Sequence, residues 1–367
     1  MNQGESPELF NSASSVKKAI RWTGLVLAVF LCAEALIFRS SLYQRWLEPD
    51  SSAGNFEMHM SWLKRPRPSS VPEVLVLGDS RMAEGFSQRV AEAHSPIESY
   101  WWNFGIPGTT PRVWYYLLRD ADPERNRFHT IVISLENFAD LDRFDSGPGR
   151  LIDLNFVICR LRLTDAWEFA SSMQGEEAQR TALMGSLLKG NALRQDFLSF
   201  LGDIRKRREK VVLIEQVGLS SNEDYKGNDR DLTGLSIRED KSLEYPQSLD
   251  EGVRKNILHQ YRQDYPPQSG ITTEYRKKWL GKILDLYQNS KTRIVFLEAP
   301  RGPVAPITPD AGADFIQWSS KYPNVQVLNQ QTFRFLETPE TFFDALHLNR
   351  KGRELFSEKL AKELSIQ

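Results

Sequence analysis

Cysteine is nearly absent from this chain of 367 residues: Cys32 lies in an apolar run near the N-terminus and Cys159 far downstream. Two such isolated thiols give neither a disulfide framework nor a thiolate metal site. An excess of charge is missing too, with 47 basic against 48 acidic residues. The electrostatic footprint of a nucleic-acid binder is therefore lacking, and no nucleic-acid partner is expected. The five histidines, His59, His94, His129, His259 and His347, show no ligand spacing, which disfavours a metal-assisted phosphodiesterase, and no metal or cofactor is expected. No internal repeat or low-complexity array occurs.

What is present begins with one long apolar run, Trp22 to Phe38, behind Lys17, Lys18 and Arg21. It stands at the short end of the roughly 17–25 residues that cross a bilayer as a helix. The expected layout is a cytoplasmic tail (1–21), polar and unstructured through residue 16, and a transmembrane signal anchor (22–38). The more basic N-terminal flank places the N-terminus in the cytoplasm and the rest in the periplasm or another extracytoplasmic space, on a single pass through the inner membrane. Ala33-Glu34-Ala35 offers the alternative of a cleavage site that would release a soluble product. Residues 39–72, punctuated by Pro66, Pro68 and Pro72, read as a stem.

The remainder, 73–367, reads as one α/β domain with an insertion at about 138–290. Val74-Leu-Val-Leu77, bounded by Pro72 and Gly78, is a buried parallel strand, followed by a helix-prone run from Met82 to Val90. A second strand is expected over 98–103, a Gly- and Pro-rich loop over 104–111, a helix over 112–120 with Pro111 at its start, and a third strand over 130–134. This alternation is that of a parallel sheet with right-handed crossovers. The insertion is helical around 151–173, 176–188 and 192–207, with Val211–Ile214 as its one strand-like piece and a polar loop over 218–252. It is expected to cover the functional edge of the sheet. Leu280, Ile283, Leu284 and Tyr287 share one helical face, 293–297 and 325–328 are strands, 311–322 is a helix, and 349–364 is a terminal helix with Phe356, Leu360 and Leu364 on one stripe.

Gly78-Asp79-Ser80 stands at the carboxyl end of the first strand, against a helix start, where open α/β sheets place ligands. Ser80 is thus a candidate nucleophile, or simply the N-cap of the helix. Asp344-Ala-Leu-His347 precedes the terminal helix. Acyl transfer by a serine needs a base within hydrogen-bond reach and a third group that fixes the tautomer of that base, and an aspartate three residues before a histidine can hold the ring from behind.

With these residues in their order, the chain resembles the SGNH, or GDSL-like, hydrolase superfamily: Ser80 after the first strand, Gly108 in the loop after the second, Asn137 after the third, and Asp344 with His347 near the C-terminus. The likeness covers 73–137 and roughly 291–364. It implies a three-layer α/β/α sandwich around a parallel, flavodoxin-like sheet. It implies Ser80 as nucleophile, His347 as general base and Asp344 as its orienting partner, and an oxyanion hole of the Ser80 and Gly108 backbone N–H groups and the Asn137 amide. Leu135-Glu-Asn-Phe138 departs from the Gly-x-Asn-Asp usual in the family's third block, and Gly105 competes with Gly108 for the oxyanion role. Arg81 and Glu136 flank the site, as substrate contacts, as solvated rim residues or as partners of each other. The aromatic clusters Trp101-Trp102 and Trp114-Tyr115-Tyr116 could stack on sugar rings, but core packing is the expected fate.

The layout of membrane segment, extracytoplasmic domain and long insertion is similar to bacterial envelope-polysaccharide O-acylation proteins of the alginate O-acetylation and teichoic acid D-alanylation types, which work beside a multispanning membrane acyltransferase. The resemblance therefore implies a membrane-anchored acyl-ester enzyme acting on polysaccharide or another acyl-ester substrate, by transfer or by hydrolysis. A catalytically silent glycan-binding module is the reading from another class.

Overall fold

The computed structural model describes residues 12–65, 70–136, 138, 151–262, 274–305 and 313–364. Seven strands occur among them: β1 (Glu73–Gly78), β2 (Tyr100–Gly105), β3 (Thr130–Leu135), β4 (Ser236–Ile237), β5 (Leu243–Glu244), β6 (Arg293–Glu298) and β7 (Val325–Val327). Five form one sheet in the order β2-β1-β3-β6-β7, with every neighbouring pair parallel. β4 and β5 make a separate antiparallel pair. Alternate side chains of the large sheet enter two different cores: Leu75, Leu77, Trp102, Phe104, Ile131 and Ile133 one, Val74, Val76, Trp101 and Val132 the other. Burial on both faces is why these strands read as continuous apolar runs. The chain leaves β1 toward one edge and returns to the other side at β3, so the strand order switches beside β1, where ligands of such sheets bind at the carboxyl ends.

The first helix, α1 (Ser12–Phe38), has a part, Val16–Phe38, that is long and apolar enough to cross a membrane. It starts before residue 16, inside the stretch expected to be an unstructured tail. The expected stem is also folded over much of its length. Ser51 accepts the Gly54 N–H and starts α2 (Ser52–Leu63), whose Ala53, Phe56, Met60 and Leu63 enter the first core. Their helical spacing outweighs the prolines, of which Pro66 and Pro68 lie outside the described residues.

The single helix expected after β1 is two, α3 (Ser80–Gly85) and α4 (Gln88–His94), because Phe86 is extended and Ser87 caps the second. β2 sits two residues later than expected, in register with β1 so that Gly78 faces Gly105. Pro111 opens α5 (Pro111–Ala121), as its fixed φ favours.

The insertion contains α6 (Glu176–Leu187), α7 (Arg194–Gly202), α8 (Ile204–Asp224) and α9 (Glu251–Tyr261), with shorter helical pieces between. Val211–Ile214, expected as a strand, lies inside α8, flanked by helix-forming Arg, Lys and Glu and without a strand to pair with. Then come α10 (Glu274–Tyr287), with Leu280, Ile283, Leu284 and Tyr287 fully buried, α11 (Ala313–Ser319) and the terminal α12 (Arg350–Glu363), with Asn349 as its cap. α2, α5 and α10 feed the first core; α12 and the insertion residues Leu232, Leu235, Leu249 and Ile257 feed the second.

Candidate active site

Ser80 is the first residue of α3, directly after β1. The N-cap is Asp79, not Ser80: its carboxylate accepts the Arg81 N–H at 2.9 Å and pairs with the Arg81 guanidinium at 3.1 Å. Burial pushes the Asp79 carboxyl up, but the Arg81 charge and hydrogen bonds outweigh it, and its pKa falls below the usual carboxylate value. The Ser80 hydroxyl is therefore not needed for capping. α3 lies flat on the strand ends because they are glycines. A Cβ on Gly105 would stand 2.1 Å from the Ala83 backbone N, and one on Gly78 would stand 2.3 Å from the Met82 side chain. Buried Asn103 donates to the Met82 and Phe86 carbonyls at 3.1 and 2.7 Å, binding β2 to the turn after α3.

His347 reaches the same point from 267 residues away in sequence: its Nε2 is 2.8 Å from Ser80 Oγ. Its Nδ1 is 2.8 Å from Asp344 Oδ2, and Asp344 Oδ1 accepts the Leu346 and His347 backbone N–H groups, each at 2.8 Å. This local turn orients the ring before any tertiary contact. Burial raises the Asp344 carboxyl, but the hydrogen bond and charge of His347 and the two N–H groups prevail and hold its pKa below the usual value. An ionised Asp344 requires the proton of the neutral ring to sit on Nδ1, which leaves Nε2 as an acceptor for the Ser80 hydroxyl. The Phe343 ring stacks on His347 with centroids 5.7 Å apart. α12 couples the two halves: Arg353 donates to the Ala83 carbonyl at 2.8 Å, and Ser357 Oγ accepts the Ser87 N–H at 2.8 Å.

Of the two candidate oxyanion glycines, Gly105 is the last residue of β2 and serves the close packing of α3. Gly108 lies in the following loop with φ +78°, a backbone angle that suits glycine. That loop is fastened beside Ser80 by Thr109, whose hydroxyl donates to the Gly78 carbonyl at 3.0 Å and accepts the Trp114 indole N–H at 2.9 Å. Thr110 continues to buried Asp153 at 2.9 Å, which faces buried Arg112 at 3.6 Å. The Ser80 N–H stands in the first turn of a helix, where no intrahelical acceptor exists. Asn137, the third expected donor, lies outside the described residues.

Arg81 and Glu136 are paired with each other rather than solvated at a rim. Arg81 is buried and stands 3.8 Å from Glu136, tying α3 to the end of β3. Trp101, Trp102, Trp114 and Tyr116 are buried core residues, as expected of these clusters. Sequence reading missed Asn103, Thr109, Asp153 and Arg353, all polar and isolated in sequence. A faint signal for Asn103 exists, a lone amide within an aromatic strand. The insertion borders the site through its later part: Arg230 donates to the Phe343 carbonyl at 2.8 Å, Leu232 N–H to the Pro339 carbonyl at 2.9 Å, and Gln260 to the Arg301 carbonyl at 2.6 Å. Its earlier helices pack on α1, α2 and α5 instead, so the insertion as a whole is not a lid.

A serine hydroxyl, an acceptor nitrogen and an ionised carboxylate in line can transfer one proton and expose one nucleophile. No protein-family model matches the chain, and no curated protein matches it.

Proposed function

We propose that this chain is a serine-dependent acyl-ester enzyme of the SGNH type, anchored by α1 with its catalytic domain outside the cytoplasm. The observation that carries the proposal is the contact of Ser80 Oγ with His347 Nε2 at 2.8 Å, with Asp344 behind the ring. A glycan-binding module has no use for that alignment.

In this reading Ser80 Oγ attacks the carbonyl of an acyl ester while His347 Nε2 takes its proton. Collapse of the tetrahedral intermediate expels the donor alcohol, which receives that proton from His347. The acyl-enzyme is then attacked by a second hydroxyl, deprotonated by the same nitrogen, and Ser80 is regenerated. The Ser80 and Gly108 N–H groups and the Asn137 amide are the proposed oxyanion donors, each typically worth about 10²–10³ in rate.

We assign the acceptor to a hydroxyl of an exported or cell-envelope polysaccharide, with acetyl as the acyl group and a multispanning membrane acyltransferase as the donor partner. What supports transfer over hydrolysis is the insertion segment that borders the His347 loop, since a waiting acyl-enzyme must be shielded from water. The test is to incubate the purified protein with an activated acyl ester, with and without oligosaccharide acceptors, and follow products by mass. The expected result is an adduct absent from Ser80→Ala and acylated sugar formed faster than free acid. Hydrolysis indifferent to every acceptor would make the protein a carbohydrate esterase, and no adduct with any donor would leave the binding module. Reporter fusions after residue 50 should work only outside the cytoplasm; activity of a cytoplasmic reporter there would overturn the orientation.

A further inference from the structure

The last turn of α1 does not hang free. Glu34 is buried, and its two carboxylate oxygens accept the Gly190 N–H at 3.2 and 3.1 Å. Arg39 donates to the Ser186 and Leu187 carbonyls, each at 2.7 Å. The Phe38 ring packs edge-on against Phe197 at 5.1 Å. The insertion is therefore fixed to the end of the apolar helix, and it carries its own exposed apolar side chains there. Met184, Leu187, Leu198, Leu201 and Ile204 are between 40 and 55 % exposed, and Leu42, just after α1, is 65 % exposed.

Depth follows from the helix rise. Counting about 30 Å of hydrocarbon from Lys18, at about 1.5 Å per residue, ends close to Phe38. Met184 and Leu188 share a cleft of about 410 Å³ with Phe30, Glu34 and Phe38. Phe30 and Glu34 then lie roughly 6 to 12 Å inside the boundary at that rise, the depth at which interfacial helices bury their apolar faces. The charges agree. Arg194, Arg205, Lys206 and Arg208 are exposed on α7 and α8. Of the acids on these helices near the exit of α1, Asp196 is paired with Arg207, Asp203 accepts the Lys206 N–H and Glu209 is paired with Arg205, while Glu176 and Glu177 stand at the far, N-terminal end of α6. Trp46 carries guanidinium groups of Arg45 and Arg208 over its ring at 4.5 and 5.0 Å, a pairing suited to a headgroup layer.

The geometry points to a lipid-embedded collar: α6, α7 and the start of α8 sit in the domain-side leaflet around the exit of α1, with anionic headgroups against their basic residues. This rests on the reading of α1 as membrane-spanning. It fixes the height and tilt of the domain on the bilayer, where a stem would let it swing.

The test uses the full chain in phosphatidylcholine–phosphatidylglycerol vesicles containing lipids spin-labelled at a shallow acyl position. A fluorophore is attached to native Cys32, or, in a Cys32→Ser background, to Leu198→Cys, Met184→Cys or Ile237→Cys. The substituted sites are exposed, and Cys159 is buried. Labels at 184 and 198 should be quenched at least twofold more than the label at 237, which sits on the β4–β5 pair. Quenching at Cys32 without any at 184 and 198 would overturn the collar while leaving the anchor, and would make a helix of a partner membrane protein the fitting occupant of that face. No quenching at Cys32 would overturn the spanning reading and the collar with it.

Discussion

Ser80 and His347 meet through one hydrogen bond, so each is expected to be indispensable and neither to matter for folding. Ser80→Ala should abolish the acyl adduct with an unchanged melting temperature, since the helix cap is Asp79. Asp344→Asn should lower kcat by about 10⁴, because an amide favours the wrong ring tautomer. The same carboxylate has a folded pKa below its ordinary value. Its contribution to stability is therefore complete above about pH 4 and is lost as pH falls through the lowered value. Acid unfolding of Asp344→Asn should show a shallower loss below that pH, measured by denaturant titration at stepped pH. An equal slope in both proteins would show that the Asp344 hydrogen bonds do not favour the ionised form.

Elements decide whether these residues can meet. α3 depends on the flat glycine floor, and the loop after β2 depends on a positive φ, so two glycines should fail differently. Gly105→Ala drives a methyl into the Ala83 backbone and should cost about 1–3 kcal/mol of stability together with activity. Gly108→Ala strains one half-buried loop residue and should cost about 1–2 kcal/mol but lower kcat much more than stability predicts; equal losses in both properties would deny Gly108 the proposed oxyanion role. α2 offers a separate check on its place in the core. His59 on this helix is buried against Trp62 and Phe104, with centroids at 4.5 and 5.3 Å, and donates from Nδ1 to the Asn55 carbonyl at 2.8 Å. Burial lowers its pKa from 6.5 to about 4, only partly opposed by that hydrogen bond. The unfolded chain then binds a proton that the folded chain refuses, so stability is complete above pH 6.5 and falls toward pH 4, by about 3 kcal/mol. His59→Phe should remove that slope; a slope unchanged by the substitution would place His59 in water and α2 outside the core.

For the whole molecule, the domain begins inside α1, whose last turn packs on the insertion. Deleting residues 1–33 should leave the melting temperature in mild detergent unchanged, whereas deleting 1–40 removes the buried Phe38 and Glu34 contacts and should cost about 3 kcal/mol or more. Equal stability of the two would mean that the last turn of α1 is not part of the domain. The strands of the large sheet were legible in sequence to within two residues, because burial on both faces writes itself as an apolar run. Ser80, Asp344 and His347 were legible because a serine at a strand end and a histidine three residues after an aspartate are local patterns. α2 was misread because prolines nearby drew attention from its helical spacing, and Val211–Ile214 because β-branched residues carry a preference that a 21-residue helix overrides. The pairing of Arg81 with Glu136 was legible from their flanking positions, but its burial was not, since its partners Asp79 and Glu136 come from two different strand ends. The sequence by itself determined the parallel α/β class, the apolar helix and the residue types of the site, all of which depend on periodicity or short spacing. Only the tertiary structure decided that Ser80 and His347 touch, that Gly105 packs while Gly108 turns, and that the insertion docks on α1. These depend on which surfaces meet across long stretches of chain, and pairwise contacts over such separations leave no periodic trace in the order of residues.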